Sequence, residues 1–169
     1  LFVLITALFG APPLAAEQLV AVITTGKLDR NQQAPAAFEK LLRSAGMGED
    51  QVTIFVQSPN PDPMSWNNSL RKAVGVSADV IISYGAPVTN VAKNKAAKIP
   101  VLFADVYDPV ALGIIKTLNI TGGAISGVSS KTPIEGLVST FIDIKPAKKI
   151  AVLFTSFEEG SALQKGEID

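Results

Sequence analysis

Short apolar runs rich in β-branched residues alternate with segments of helical periodicity, and this alternation constrains the fold of the chain more than any other feature. The runs are "LVAVITT" (19–25), "QVTIFVQ" (51–57), "ADVIISYG" (78–85), "IPVLFADVY" (99–107), "GAISGVS" (123–129) and "KKIAVLFTS" (148–156). Between them, 34–46 places Phe38, Leu41 and Leu42 at helical spacing and stops at Gly46, a C-cap candidate. The stretch 59–75 opens as a Pro-rich loop and becomes a helix around Ser65; 87–98, 108–118 and 133–144 read as further helices. The last thirteen residues read as the start of another. Strand, helix, strand in steady succession predicts an α/β fold with a doubly wound parallel sheet.

In such a sheet all strands finish on one edge, and ligands bind in the crevice beyond their carboxyl ends. The polar groups expected on that rim are Thr24, Thr25 and Gly26, then Ser83, Tyr84 and Gly85, then Asp105, Tyr107 and Asp108, and finally Ser126 to Ser129. Asp105 is a carboxylate near the end of a core strand, so it must reach solvent, a cation or a donor. Asp108-Pro109 is a helix-start signature in which the carboxylate caps free N–H groups, the preferred reading, and Asp108 is kept beside it as a ligand candidate. Tyr84 and Tyr107 read equally as amphipathic edge residues or as rings that stack on a planar ligand. At "SYGAPVTN", Gly85 leaves the strand and Pro87 opens the next helix. The free N–H groups at 86–89, beginning at Ala86, together with the Thr89 hydroxyl, make a ready site for a carboxylate. The glycine-rich stretch 121–127 precedes a strand instead of bridging strand to helix, so it reads as a turn and not as a phosphate loop.

Composition removes several functions. Hydrophobic residues make up 47% of the 169 and charged residues only 18%, which supports one sizeable core. Fifteen basic residues balance fifteen acidic ones without a basic run, so nucleic acid is not expected as a partner. With neither His nor Cys, imidazole bases, thiol nucleophiles, disulfides and nearly all transition-metal sites are excluded, and no cofactor or metal is called for. An enzyme using Asp105 as nucleophile or base is weighed and set aside on that ground.

The opening "LFVLITALFGAPPLAAEQ" has no charge before Glu17 and passes through Pro-Pro to Leu14-Ala15-Ala16. It reads as the remnant of a secretory signal peptide over 1–16, in preference to a buried strand or a membrane anchor. The run is shorter than the ~20 residues a spanning helix needs and is broken by prolines. The mature protein is then expected to be exported and without stable membrane insertion.

"AAKIPVLFADVYDPVALGIIKTL", "GGAISGVSS" and "PAKKIAVLFTSFEEGS" together resemble the substrate-binding proteins of a bacterial ABC transporter family, some of which are associated with aromatic amino acids such as tryptophan. The resemblance is strongest over 97–161. It implies a type I periplasmic binding protein fold, with two α/β lobes and a ligand trapped between them. It divides the chain into a leader (1–16), an N-terminal ligand-binding lobe (17–145) and the start of a truncated second lobe (146–169). The function it implies is a periplasmic, non-catalytic solute-binding protein that delivers a small polar ligand, such as an amino acid, to a membrane permease. An extracytoplasmic sensor domain of a signalling receptor is the alternative on the same fold. Ligand contacts are expected from Thr25, Ser83, Tyr84, Gly85, Ala86, Thr89, Asp105, Tyr107, Asp108, Ser126 and Ser129. Asp105 stands where the family usually has Ala, Tyr107 where it has Thr, Ala124 where it has Asn and Ser126 where it has Thr. The ligand therefore does not carry over with the resemblance.

Overall fold

The computed structural model describes residues 17–96, 98–119, 123–156 and 158–168. The leader expected over 1–16 and the first two positions of the turn expected at 121–127 lie outside them. Five parallel strands, β1 (Gln18–Thr24), β2 (Val52–Gln57), β3 (Val80–Tyr84), β4 (Val101–Val106) and β5 (Ile125–Ser129), form one sheet in the order β2-β1-β3-β4-β5. The order reverses direction between β1 and β3, which makes the crevice at their carboxyl ends the topological switch point.

The period of two along each strand sends alternate residues to opposite faces. On one face Ala21, Ile23 and Ile81 pack with Leu70 and Ala73 of α2 (Pro63–Gly75) and Val88 and Ala92 of α3 (Ala86–Lys95). On the other, Val20, Val22, Val52 and Ile82 pack with Phe38 and Leu42 of α1 (Asp29–Ser44). Helices thus cover both faces, as doubly wound sheets require. Asp62 caps α2, its carboxylate accepting from the Ser65 N–H at 2.8 Å, with Pro63 at the first position.

Three expectations need correction. First, α1 begins at Asp29 and not at 34: Pro35 lies buried inside the helix, and the acidic Asp29 occupies the first turn. Second, 108–118 is a set of turns and not a helix. The Asp108 carboxylate does accept from the Val110 and Ala111 N–H groups, at 3.1 and 2.9 Å, but Gly113 takes φ +63° and stops the coil after one turn. Third, 148–156 forms no ladder. Leu153 is 99% exposed and Ile150, Val152 and Phe154 are also open, because all five strands of the sheet come from earlier in the chain.

Two helices complete the order. α4 (Ile134–Ile144) buries none of its residues and leaves Leu137, Phe141 and Ile144 exposed. α5 (Glu159–Gly166) returns to the rim beside α3. No described helix is long and apolar enough to cross a membrane.

Candidate functional site

A cavity of about 110 Å³ opens at the carboxyl edge of β1, β3 and β4. Thr25 lines it from the end of β1, Arg30 from the start of α1, Gly85 and Pro87 from the β3–α3 turn, Asp105 and Tyr107 from β4 and its exit, Ser130 from beyond β5, and Glu158 and Gln164 from α5 and its cap.

The strand ends are tied to each other. The Thr25 hydroxyl donates to the Tyr84 carbonyl, and the Trp66 indole Nε1 donates to the Thr25 carbonyl at 2.9 Å. Gly85 adopts φ +92°, ψ 153°, a region essentially reserved for glycine, and a Cβ there would overlap the Thr25 hydroxyl. Asp105 also takes a positive φ, +55°, where the β4–β5 register shifts between Phe103 and Val106. A bulge of this kind re-aims a side chain at the edge of a sheet, and aspartate tolerates the left-handed conformation better than most residues.

Beside the cavity, α5 is fastened to the rim. The buried Tyr107 hydroxyl donates to Glu167 Oε2 at 2.6 Å, with the Thr132 carbonyl 3.1 Å away as a second acceptor. Burial first, then the Glu167 hydrogen bond and charge, push the Tyr107 pKa up to about 12. Lys131 Nζ lies 2.6 Å from Asp108 Oδ2 and 3.5 Å from Glu167 Oε1. The Ala111 N–H and then Lys131 hold the Asp108 carboxyl below its ordinary range, and Asp108 in turn raises Lys131.

Of the residues marked by sequence, the structure brings Thr25, Gly85, Asp105 and Tyr107 to the cavity. Ser83 on β3 and Thr89 on α3 are fully buried where helix meets sheet, bonded to each other at 2.9 Å, and Thr89 donates to the Gly85 carbonyl at 2.8 Å. Ala86 is buried in the small cluster around Phe103 and Val106. Tyr84 packs on the α1 face, where burial raises its pKa. Asp108 is spent on its turn and on Lys131, and Ser129 donates to the Tyr107 carbonyl at 2.7 Å. Ser126 sits exposed on β5 opposite Leu102 and does not line the cavity. Sequence reading missed Arg30, Ser130, Glu158 and Gln164. Starting α1 at Asp29 would have put Arg30 on the rim. Ser130 directly follows the expected rim stretch 126–129, whereas no local signal marks Glu158 and Gln164, which arrive through tertiary packing. No group of three or more potential metal-ligating side chains occurs among the described residues.

Residues 20–168 match the family described as ABC transporter substrate binding protein. A tyrosine-binding protein of Clostridioides difficile (strain R20291) is 30% identical over 134 residues, which cover 78% of this chain and 39% of that protein. Among solved structures, an ABC domain in complex with L-Trp from Streptococcus pneumoniae superposes with a TM-score of 0.81 at 23% identity, covering 90% of this chain and 52% of that one. The ligand-free, open structure of a substrate binding protein with adhesive properties from Clostridium difficile gives 0.71 at 27% identity, covering 89% and 52%. The five-stranded parallel sheet is thus that of a type I periplasmic binding protein lobe, and the chain spans about half the length of these structural relatives and less of the curated one.

Proposed function

This chain belongs to the ABC transporter substrate-binding protein family, and from that premise we propose that it is the extracytoplasmic solute-binding component of an importer, capturing a small polar ligand of the amino-acid class and passing it to a membrane permease. The observation that carries this reading is the polar cavity at the switch point of the sheet, where an open α/β fold receives its ligand. The tyrosine-binding relative supports an amino acid as the ligand class. Binding without turnover is the expected chemistry, since the chain has no His or Cys to supply a base or thiol nucleophile. In this reading residues 1–16 are the export leader and 17–145 are the ligand-binding lobe. The segment from 146 onward begins the opposing wall, to which Glu158 and Gln164 already contribute.

The test is a thermal-shift screen of the intact protein against the twenty L-amino acids and related metabolites, followed by calorimetry and product analysis on each hit. Saturable binding of an amino acid with no product formed is expected. Absence of any hit, or turnover of a hit, would overturn the proposal.

A further inference from the structure

We propose that Arg30 and Asp105 are the specificity-determining pair of the cavity, Arg30 receiving a ligand carboxylate and Asp105 an ammonium, so that the cavity reads a zwitterionic head group. This rests on the solute-binding reading above and goes further by assigning the two charges. Much of the hydrogen-bonding capacity around the cavity is already spent within the protein. The Thr25 hydroxyl proton is spent on the Tyr84 carbonyl, and the Tyr107 proton on Glu167. The Glu158 carboxylate already accepts from the Gly160 and Ser161 N–H groups as the cap of α5. The Gly85 N–H is bound to the Ala104 carbonyl at 2.9 Å.

Among the described residues, Arg30 and Asp105 are the charged cavity-lining side chains with no hydrogen bond or ion pair of their own. Both are exposed at the rim and form no ion pair with each other, although they line one small cavity. An Arg and an Asp that face a shared space unpaired are complementary to a molecule that carries both charges. The Arg fork suits a carboxylate in bidentate geometry, and the bulge sets Asp105 on the cavity wall with no other residue holding its carboxylate. The site at 86–89 expected from sequence offers less, because Thr89 spends both its N–H and its hydroxyl on the Gly85 carbonyl and Pro87 has no N–H.

The experiment measures calorimetric affinities of the intact protein for L-tyrosine, tyramine (no carboxylate) and 4-hydroxyphenylpropanoate (no ammonium). The proteins are wild type, Arg30→Gln and Asp105→Asn; asparagine is chosen because it also tolerates a positive φ. Wild type should prefer L-tyrosine over both analogues by on the order of 10- to 100-fold, the range expected for one charge-assisted contact. Arg30→Gln should lose that factor for L-tyrosine and little for tyramine. Asp105→Asn should lose it for L-tyrosine and little for 4-hydroxyphenylpropanoate. An unchanged melting temperature, with partial rescue by Arg30→Lys, separates recognition from folding damage. Equal binding of all three compounds by wild type, or equal losses for all three in each variant, would overturn the charge assignment and leave the solute-binding reading standing. If wild type binds none of the three, the assignment fails for this ligand class, and the general reading is judged separately by the amino-acid and metabolite screen.

Discussion

The Trp66 indole donates to the Thr25 carbonyl at 2.9 Å, which places the chain's single tryptophan one residue from the cavity wall. Ligand that displaces water from the cavity changes the polarity around Thr25, and the indole is bonded to that residue's backbone. Titration with a bound amino acid should therefore shift Trp66 emission in a saturable manner, with a midpoint equal to the calorimetric Kd. Trp66→Phe should abolish the signal, cost about 1 kcal/mol of stability through the lost hydrogen bond, and leave ligand binding detectable by heat. Emission unchanged at saturating ligand would place the ligand away from Thr25.

Gly85→Ala is expected to damage both fold and site. The backbone at φ +92°, ψ 153° alone costs an alanine about 1–3 kcal/mol, and the added Cβ meets the Thr25 hydroxyl that ties β1 to β3. Chemical denaturation should show the lower midpoint with an unchanged slope, and ligand affinity should fall with it. A variant with wild-type stability and affinity would show that the turn relaxes freely.

The sheet was legible because continuous apolar runs rich in β-branched residues report directly on strands buried from both faces, as in Ala21 to Ile23 and Ile81 to Ile82. Two local signals misled for physical reasons. Asp108-Pro109 does start a turn with a capping carboxylate, but a start signal carries no information about length, and Gly113 ends the coil at once. The run "KKIAVLFTS" is apolar enough for a core strand, yet apolarity says that a segment needs cover and not which strand supplies it. The helix expected over 34–46 starts at Asp29 and carries Pro35 in its interior, so the expected range left Arg30 outside the helix. Asp105, Thr25 and Gly85 were legible because strand ends of a parallel sheet converge by topology alone. Glu158 and Gln164 reach the same cavity through packing of a segment distant in sequence, which no local pattern encodes.

The contrast between buried and open apolar residues gives a quantitative check. Ile81 is fully buried between β1 and β4 and packs on α2 and α3, so Ile81→Ala should cost about 2–5 kcal/mol. Leu153 is 99% exposed, and Leu153→Ala in the 169-residue chain should change stability by no more than about 0.5 kcal/mol. The open side chains of α4 and of 150–154 should also bind an apolar dye, and a double change such as Phe141→Ser with Leu153→Ser should weaken that binding. A large loss of stability for Leu153→Ala would mean that this segment is covered in solution.

The fastening of α5 to the rim predicts a pH signature at each end of the scale. The Tyr107 pKa stands at about 12, above its ordinary 10.0, so between these values the folded chain holds a proton that the unfolded chain has lost. Stability from this group is complete below about pH 10 and declines as pH rises toward 12. Asp108 works in the opposite sense. Its folded pKa lies below the ordinary 3.8, so its contribution is present above that value and is lost as pH falls through the lowered one. The chain contains two tyrosines, and burial raises Tyr84 as well, so tyrosinate absorbance should stay low at pH 10 in the folded protein. Glu167→Gln separates the causes at Tyr107. Removing the carboxylate should lower the Tyr107 pKa from about 12 but leave it above 10.0, since burial is the larger contribution. The same change should loosen α5, which proteolysis near residue 158 would report as faster cleavage, while the Lys131 contact with Asp108 at 2.6 Å persists. An absorbance titration of Glu167→Gln that coincides with wild type would show that Glu167 does not hold Tyr107, and that α5 is fixed to the rim by its packing alone.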